Sequence, residues 1–197
     1  MQLSIRDLAI LGATCISMPV VQTAHAADGT ASPPGNVVHL KRLEESPESP
    51  AKHFLAQSDI DLKNDDAYVL TFWAKASPSL AMRVTTKNTR TWAGLESQRV
   101  DLGSEWQQCE VQLVGEKAEP GHTRLEFHYD GQEAGDIWIA DVHLRLEGAD
   151  KKENLIVNGR FEDQLNKWYS EGQQAGVFLI EVQTPSDANA AAESEKK

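Results

Sequence analysis

From Val37 onward the apolar positions recur with a period near two, the spacing of a strand whose alternate side chains face core and solvent. The clearest run is AYVLTFWAKA (67–76), with Tyr68, Leu70, Phe72 and Ala74 on one face and Val69, Thr71, Trp73 and Lys75 on the other. WQQCEVQLV (106–114) sets Cys109, Val111 and Leu113 against Gln108, Glu110 and Gln112, which makes Cys109 a small core residue. LAMRVTTK (80–87) sets Met82 and Val84 against Arg83 and Thr85, and TRLEFHY (123–129) sets Leu125, Phe127 and Tyr129 against Arg124, Glu126 and His128. VVHLKRL (37–43), HFLAQSDIDL (53–62), SQRVDL (97–102) and VFLIEV (177–182) add further strands. In DIWIADVHLRL (136–146) Ile137 pairs with Ile139, but Val142, Leu144 and Leu146 continue one position out of phase, which predicts a β-bulge near Ala140 and Asp141. No helical period stands out beyond a turn near 161–165. Roughly nine or ten short strands punctuated by turn residues predict an all-β sandwich or barrel.

The ends of the chain depart from this pattern. Residues 1–26 combine Arg6, a mostly apolar stretch over 8–22 and the small-x-small triplet Ala24-His25-Ala26, the composition of a secretory signal cut after Ala26. That predicts a secreted or periplasmic protein without a membrane span in its mature form. Residues 27–35 read as a disordered leader and 185–197 as a disordered polar tail, leaving one domain over 36–184. A net charge of −11 argues against nucleic acid as a partner, since a polyanion would be repelled. Cys109 is the one cysteine beyond the signal, so the domain is stabilised without an internal disulfide.

Signals for catalysis are sparse. There is no Gly-rich phosphate loop, HExxH, GxSxG or paired CxxC, and the histidines fit no standard metal spacing. The expectation is a protein that is not an enzyme. What remains is the outward set of the strands, where Trp73, Arg83, His128 and Trp138 are joined by Thr71, Lys75, Arg124 and Glu126. Aromatic rings stack on the C–H faces of a pyranose while Arg, Glu and Gln side chains engage its hydroxyls, so this mix suits a sugar.

At YVLTFWAKA, WQQCEVQL and DIWIADVHL the chain resembles the carbohydrate-binding modules of the family 4, 9 and 22 type found on xylanases and cellulases. The resemblance spans about Val37 to Leu146. It implies a galactose-binding-like β-jelly roll of two antiparallel sheets and non-catalytic binding of a polysaccharide or glycan on one sheet face. The implied binding residues are Trp73 and Trp138, with Trp92 walling one end of a groove; Arg83, His128 and Glu126 of the outward set complete the candidate site. It also implies a structural calcium held by hard oxygen ligands, here Glu162 and Asp141. A separate glycoside hydrolase is an implied companion. A second reading is an exported structural or interaction domain that binds a protein or cell-envelope partner.

Modules of this type open with a strand like N-L-x-x-N-G-x-F-E followed by a Trp, yet no such opening precedes Val37. It stands instead at NLIVNGRFEDQLNKW (154–168), a strand over Leu155–Val157, an Asn158-Gly159 turn and then Trp168, with VFLIEV after it. A truncated second module and a circular permutation both fit that order. A 30-residue remnant could not bury its own apolar face, and a jelly roll without its first strands would expose raw edges, so permutation is favoured, with 154–184 completing the domain.

Overall fold

The computed structural model describes residues 25–26, 33–43, 53–131, 133–170 and 178–187. Among these residues eleven strands follow one another: β1 (His25–Ala26), β2 (Val37–Arg42), β3 (Phe54–Ile60), β4 (Ala67–Ser77), β5 (Leu80–Asn88), β6 (Gly94–Leu102), β7 (Gln107–Val114), β8 (Thr123–Tyr129), β9 (Gly135–Leu146), β10 (Trp168–Tyr169) and β11 (Phe178–Gln183). They form two sheets, one of order β1-β7-β4-β9-β2-β11 and the other of order β10-β3-β8-β5-β6. Every pairing is antiparallel. This is the two-sheet jelly roll that the alternation and the resemblance implied. The expected signal, leader and tail lie outside the described residues except for 25–26, 33–35 and 185–187. Among the described residues no helix is long and apolar enough to cross a membrane.

The period of two places one side-chain set of each strand between the sheets. Leu70 and Phe72 of β4, Val111 of β7, Ile137 and Leu144 of β9, and Leu125 and Phe127 of β8 are buried there in one continuous core. Cys109 belongs to it, and burial pushes its thiol up to about 11, so it is an inert packing group rather than a nucleophile. The bulge expected in β9 is present. Thr71 of β4 faces His143 while Trp73 faces Ala140, and Asp141 takes up the extra residue with a φ of 48°. Ile137 and Ile139 before it, and Val142 and Leu144 after it, thereby all reach the core.

The C-terminal segment is built into the same sandwich. β10 extends the second sheet beside β3, and β11 closes the first sheet beside β2. Between them, residues 154–161 run along β9 past the end of β2: Leu155 N–H donates to Leu144 O, Val142 N–H to Gly159 O, and Asn36 N–H to Arg160 O. A Cβ at Gly159 would stand 2.1 Å from Val142 O, so this close approach requires glycine. Trp168 is buried against Phe161 and Phe127, with ring centroids 5.3 and 6.2 Å away, and its indole N–H donates to Asn158 O.

One expected strand is absent. Leu155–Val157 is not a strand but a series of bends and turns. Side chains take the place of a ladder: Ile156 N–H donates to Asn154 Oδ1, and Gln57 of β3 both accepts from Val157 N–H and donates to Val157 O, each at 2.8 Å.

Candidate functional site

The outward face of the β10-β3-β8-β5-β6 sheet carries a chemically rich surface, assembled by register. Phe54, His128, Arg83 and Arg99 form one row across β3, β8, β5 and β6. Tyr169, Ala56, Glu126, Thr85 and Ser97 form the next, starting from β10. Arg124 and Lys87 face each other in the third. The short connection after β5 lifts Trp92 over this third row. Its backbone has a φ of 59° and its N–H donates to Asn88 O, and the indole is left 62% exposed.

Glu126 is the electrostatic centre. It has no exposed surface, yet its Oε2 lies 2.6 Å from His128 Nε2, 2.8 Å from Lys87 Nζ and 3.0 Å from the Thr85 hydroxyl, while Oε1 pairs with Arg124. Burial on its own would raise this carboxyl. Hydrogen bonds from His128 and Lys87, with the positive charges of His128 and Arg124, outweigh that and hold it at about 2. The Arg124 guanidinium is in turn framed by aromatic rings, 4.9 Å from Trp92, 5.1 Å from Phe54 and 6.0 Å from Tyr169. Tyr169 OH adds a bond with Ser58 Oγ at 2.7 Å and accepts from Arg124. Arg83 is fixed by Asp130, to which Nε and Nη2 both donate. The arrangement offers one exposed aromatic platform beside a fixed set of donors, the combination that binds hydroxyl-rich ligands.

Arg83, Trp92, Glu126 and His128 are thus brought together as the sequence implied, but Trp73 and Trp138 are not with them. Both lie on the outward face of the opposite sheet, so the six residues do not share one face. Trp138 is 1% exposed, with His39 of β2 stacked on one side at 4.7 Å and Lys75 of β4 lying 4.9 Å from its ring centroid. Alternation separates inward from outward but does not say which of two outward faces a strand belongs to, and both strands proved to be in the first sheet. Phe54, Tyr169 and Lys87 join the site without having been singled out. Tyr169 follows directly on Trp168 of the displaced opening segment, a signal present in the sequence.

The expected calcium ligands do not fit a calcium. Asp141 Oδ1 lies 3.1 Å from Arg160 Nε and 3.2 Å from His143 Nε2, so a guanidinium already supplies the neighbouring positive charge. Glu162 is exposed. Among the described residues no three His, Cys, Asp or Glu side chains gather closely enough to hold a metal ion.

No protein-family model matches the chain, and neither does any curated protein sequence. Solved structures do. The apo PbXyn10C carbohydrate-binding module superposes with a TM-score of 0.58 at 22% identity, over 82% of this chain and 94% of that module. A family 4 carbohydrate-binding module covers 56% of this chain and 71% of its own at 18% identity, with a TM-score of 0.48. The N-terminal cellulose-binding domain of β-1,4-glucanase C from Cellulomonas fimi covers 66% and 90% at 16% identity, with a TM-score of 0.47. On the first of these superpositions, the class of fold is that of a carbohydrate-binding module. More narrowly, it is a two-sheet jelly roll like that of the PbXyn10C module.

Proposed function

We propose that the protein is a secreted, non-catalytic glycan-binding module that holds a polysaccharide chain on the outward face of the β10-β3-β8-β5-β6 sheet. The observation that carries this reading is Trp92, 62% exposed and stationed beside the Glu126-centred donor set on the face of a carbohydrate-binding-module-like fold. A pyranose ring stacks on the Trp92 indole, and Lys87, Arg83 and His128 engage its hydroxyls. Buried Glu126 touches no sugar; it aligns the donors that do. The order of segments is that of a permuted module, and β10 and β11 on the edges of both sheets support this. Of the described strands, signal cleavage after Ala26 would remove β1, a two-residue edge strand of the other sheet, and spare the site.

Affinity electrophoresis against a panel of neutral β-glucans, xylans and galactans identifies the polymer, and titration calorimetry gives its affinity. Trp92→Ala is expected to weaken binding at least fivefold, in line with the ~1–3 kcal/mol that aromatic stacking supplies. Trp73→Ala, on the opposite face, is expected to leave it unchanged. Retained affinity in Trp92→Ala, or absence of binding to every polymer of the panel, overturns the assignment.

A further inference from the structure

The opposite face holds a second concavity, walled by Lys151 and Arg160 and floored by β7, β4 and β9, with a volume of about 470 Å³. That volume suits one or two sugar units. Thr71 of β4 sits at its centre, flanked by Glu110 of β7 and His143 of β9 as its register partners. Arg145, two residues beyond His143 on the same face, lines it together with Lys151 and Arg160, and Gln108 completes β7's side.

Its charge is opposite to that of the molecule. The chain has 30 Asp and Glu against 19 Lys and Arg, so a cleft lined at random would be acidic. This one has three permanent cations against two carboxylates. Asp141 is already matched by Arg160 and His143. Arg145 and Lys151 are matched by nothing: neither has an ion pair or a side-chain hydrogen bond to any described residue. Two unpaired cations over a floor of hydroxyl, amide and carboxylate groups make a site for a ligand that carries one negative charge and several hydroxyls. Guanidinium is the preferred partner for a planar carboxylate, which it grips through two parallel hydrogen bonds.

We infer that this cleft is a second, independent site, selective for a uronic-acid unit, with Arg145 and Lys151 receiving the carboxylate while Gln108, Thr71 and Glu110 take the hydroxyls. The inference rests on the reading of the protein as a glycan binder, but on a different sheet and a different chemistry. The test is a backbone-amide NMR titration of the full chain with three probes: a glucuronic-acid-bearing xylo-oligosaccharide, its carboxyl-reduced neutral counterpart, and sodium sulfate. The acidic oligosaccharide is expected to shift the amides of Thr71, His143 and Arg145, and Arg145→Gln or Lys151→Ala to weaken that response about tenfold. Lys151 is exposed, so its variant keeps the fold and decides the matter should Arg145→Gln fail to fold. Trp92→Ala is expected to spare this response, which separates the cleft from the site on the other sheet. Equal shifts with the neutral counterpart, equal affinity for sulfate alone, or shifts confined to the Glu126 face each overturn the inference.

Discussion

Glu126 has no surface of its own and yet governs the surface above it. Its carboxylate is the common partner of Thr85, Lys87, Arg124 and His128, so removing its charge strands basic side chains in the rows on both sides of it. Glu126→Gln keeps the shape and is expected to lower unfolding stability by about 3 kcal/mol, read by urea denaturation at neutral pH. The pH dependence has a definite sign. The folded-state value of about 2 lies below the ordinary 4.5, so the contribution is fully present above pH 4.5 and is lost as pH falls towards 2. Stability curves of the wild type and Glu126→Gln should therefore converge over that acid window, and parallel curves would show that the carboxylate does not carry the effect. At this scale alternation was informative: Arg124, Glu126 and His128 were legible as one outward set. Its density of contacts was not, because it depends on β5 supplying Thr85 and Lys87 from the neighbouring strand.

Among the elements, β9 and the segment 154–161 show what a pattern reveals and what it hides. The β9 bulge was visible because a core-facing apolar set cannot slip phase without an extra residue. The short run Leu155–Val157 looked equally strand-like, but the N–H groups of Ile156 and Val157 are claimed by Asn154 and by Gln57, the latter from a strand 100 positions away. No local pattern announces a partner that distant. Gln57 is buried and acts as a surrogate strand for Val157, accepting its N–H and donating to its carbonyl. Gln57→Ala is thus expected to cost about 2 kcal/mol, more than an average side chain of its exposure, with the loss seen as faster amide exchange at Val157. Unchanged protection there would mean that the bend holds itself.

For the molecule as a whole, the sandwich divides two chemistries between two backs. One sheet presents Trp92 above the Glu126 cluster; the other buries the Trp138 stack and presents the cationic cleft. That division was the illegible part, since Trp73 and Trp138 obey the same alternation as Arg83 and His128 and differ only in which sheet their strands enter. The role of 154–168 was legible through its displaced motif and through the edges that a shorter chain would expose. Ending the chain at Glu153 removes β10 and β11 and unroofs Phe127 and the edge of β2. The truncated protein is expected to lose its cooperative melting transition in calorimetry, whereas a retained transition would mark the segment as an appendage.

The pairing of β11 with β2 also constrains when the fold becomes available. His39 and Glu181 touch across 142 positions, and strand pairs so far apart form slowly because the loop-closing entropy precedes any gain from contact. During synthesis β2 precedes its outer neighbour by that whole interval, so the first sheet keeps an open edge until the ribosome has released β11. A sheet arranged in this way stays open at the β2 edge, and commits to its native pairing only when β11 arrives.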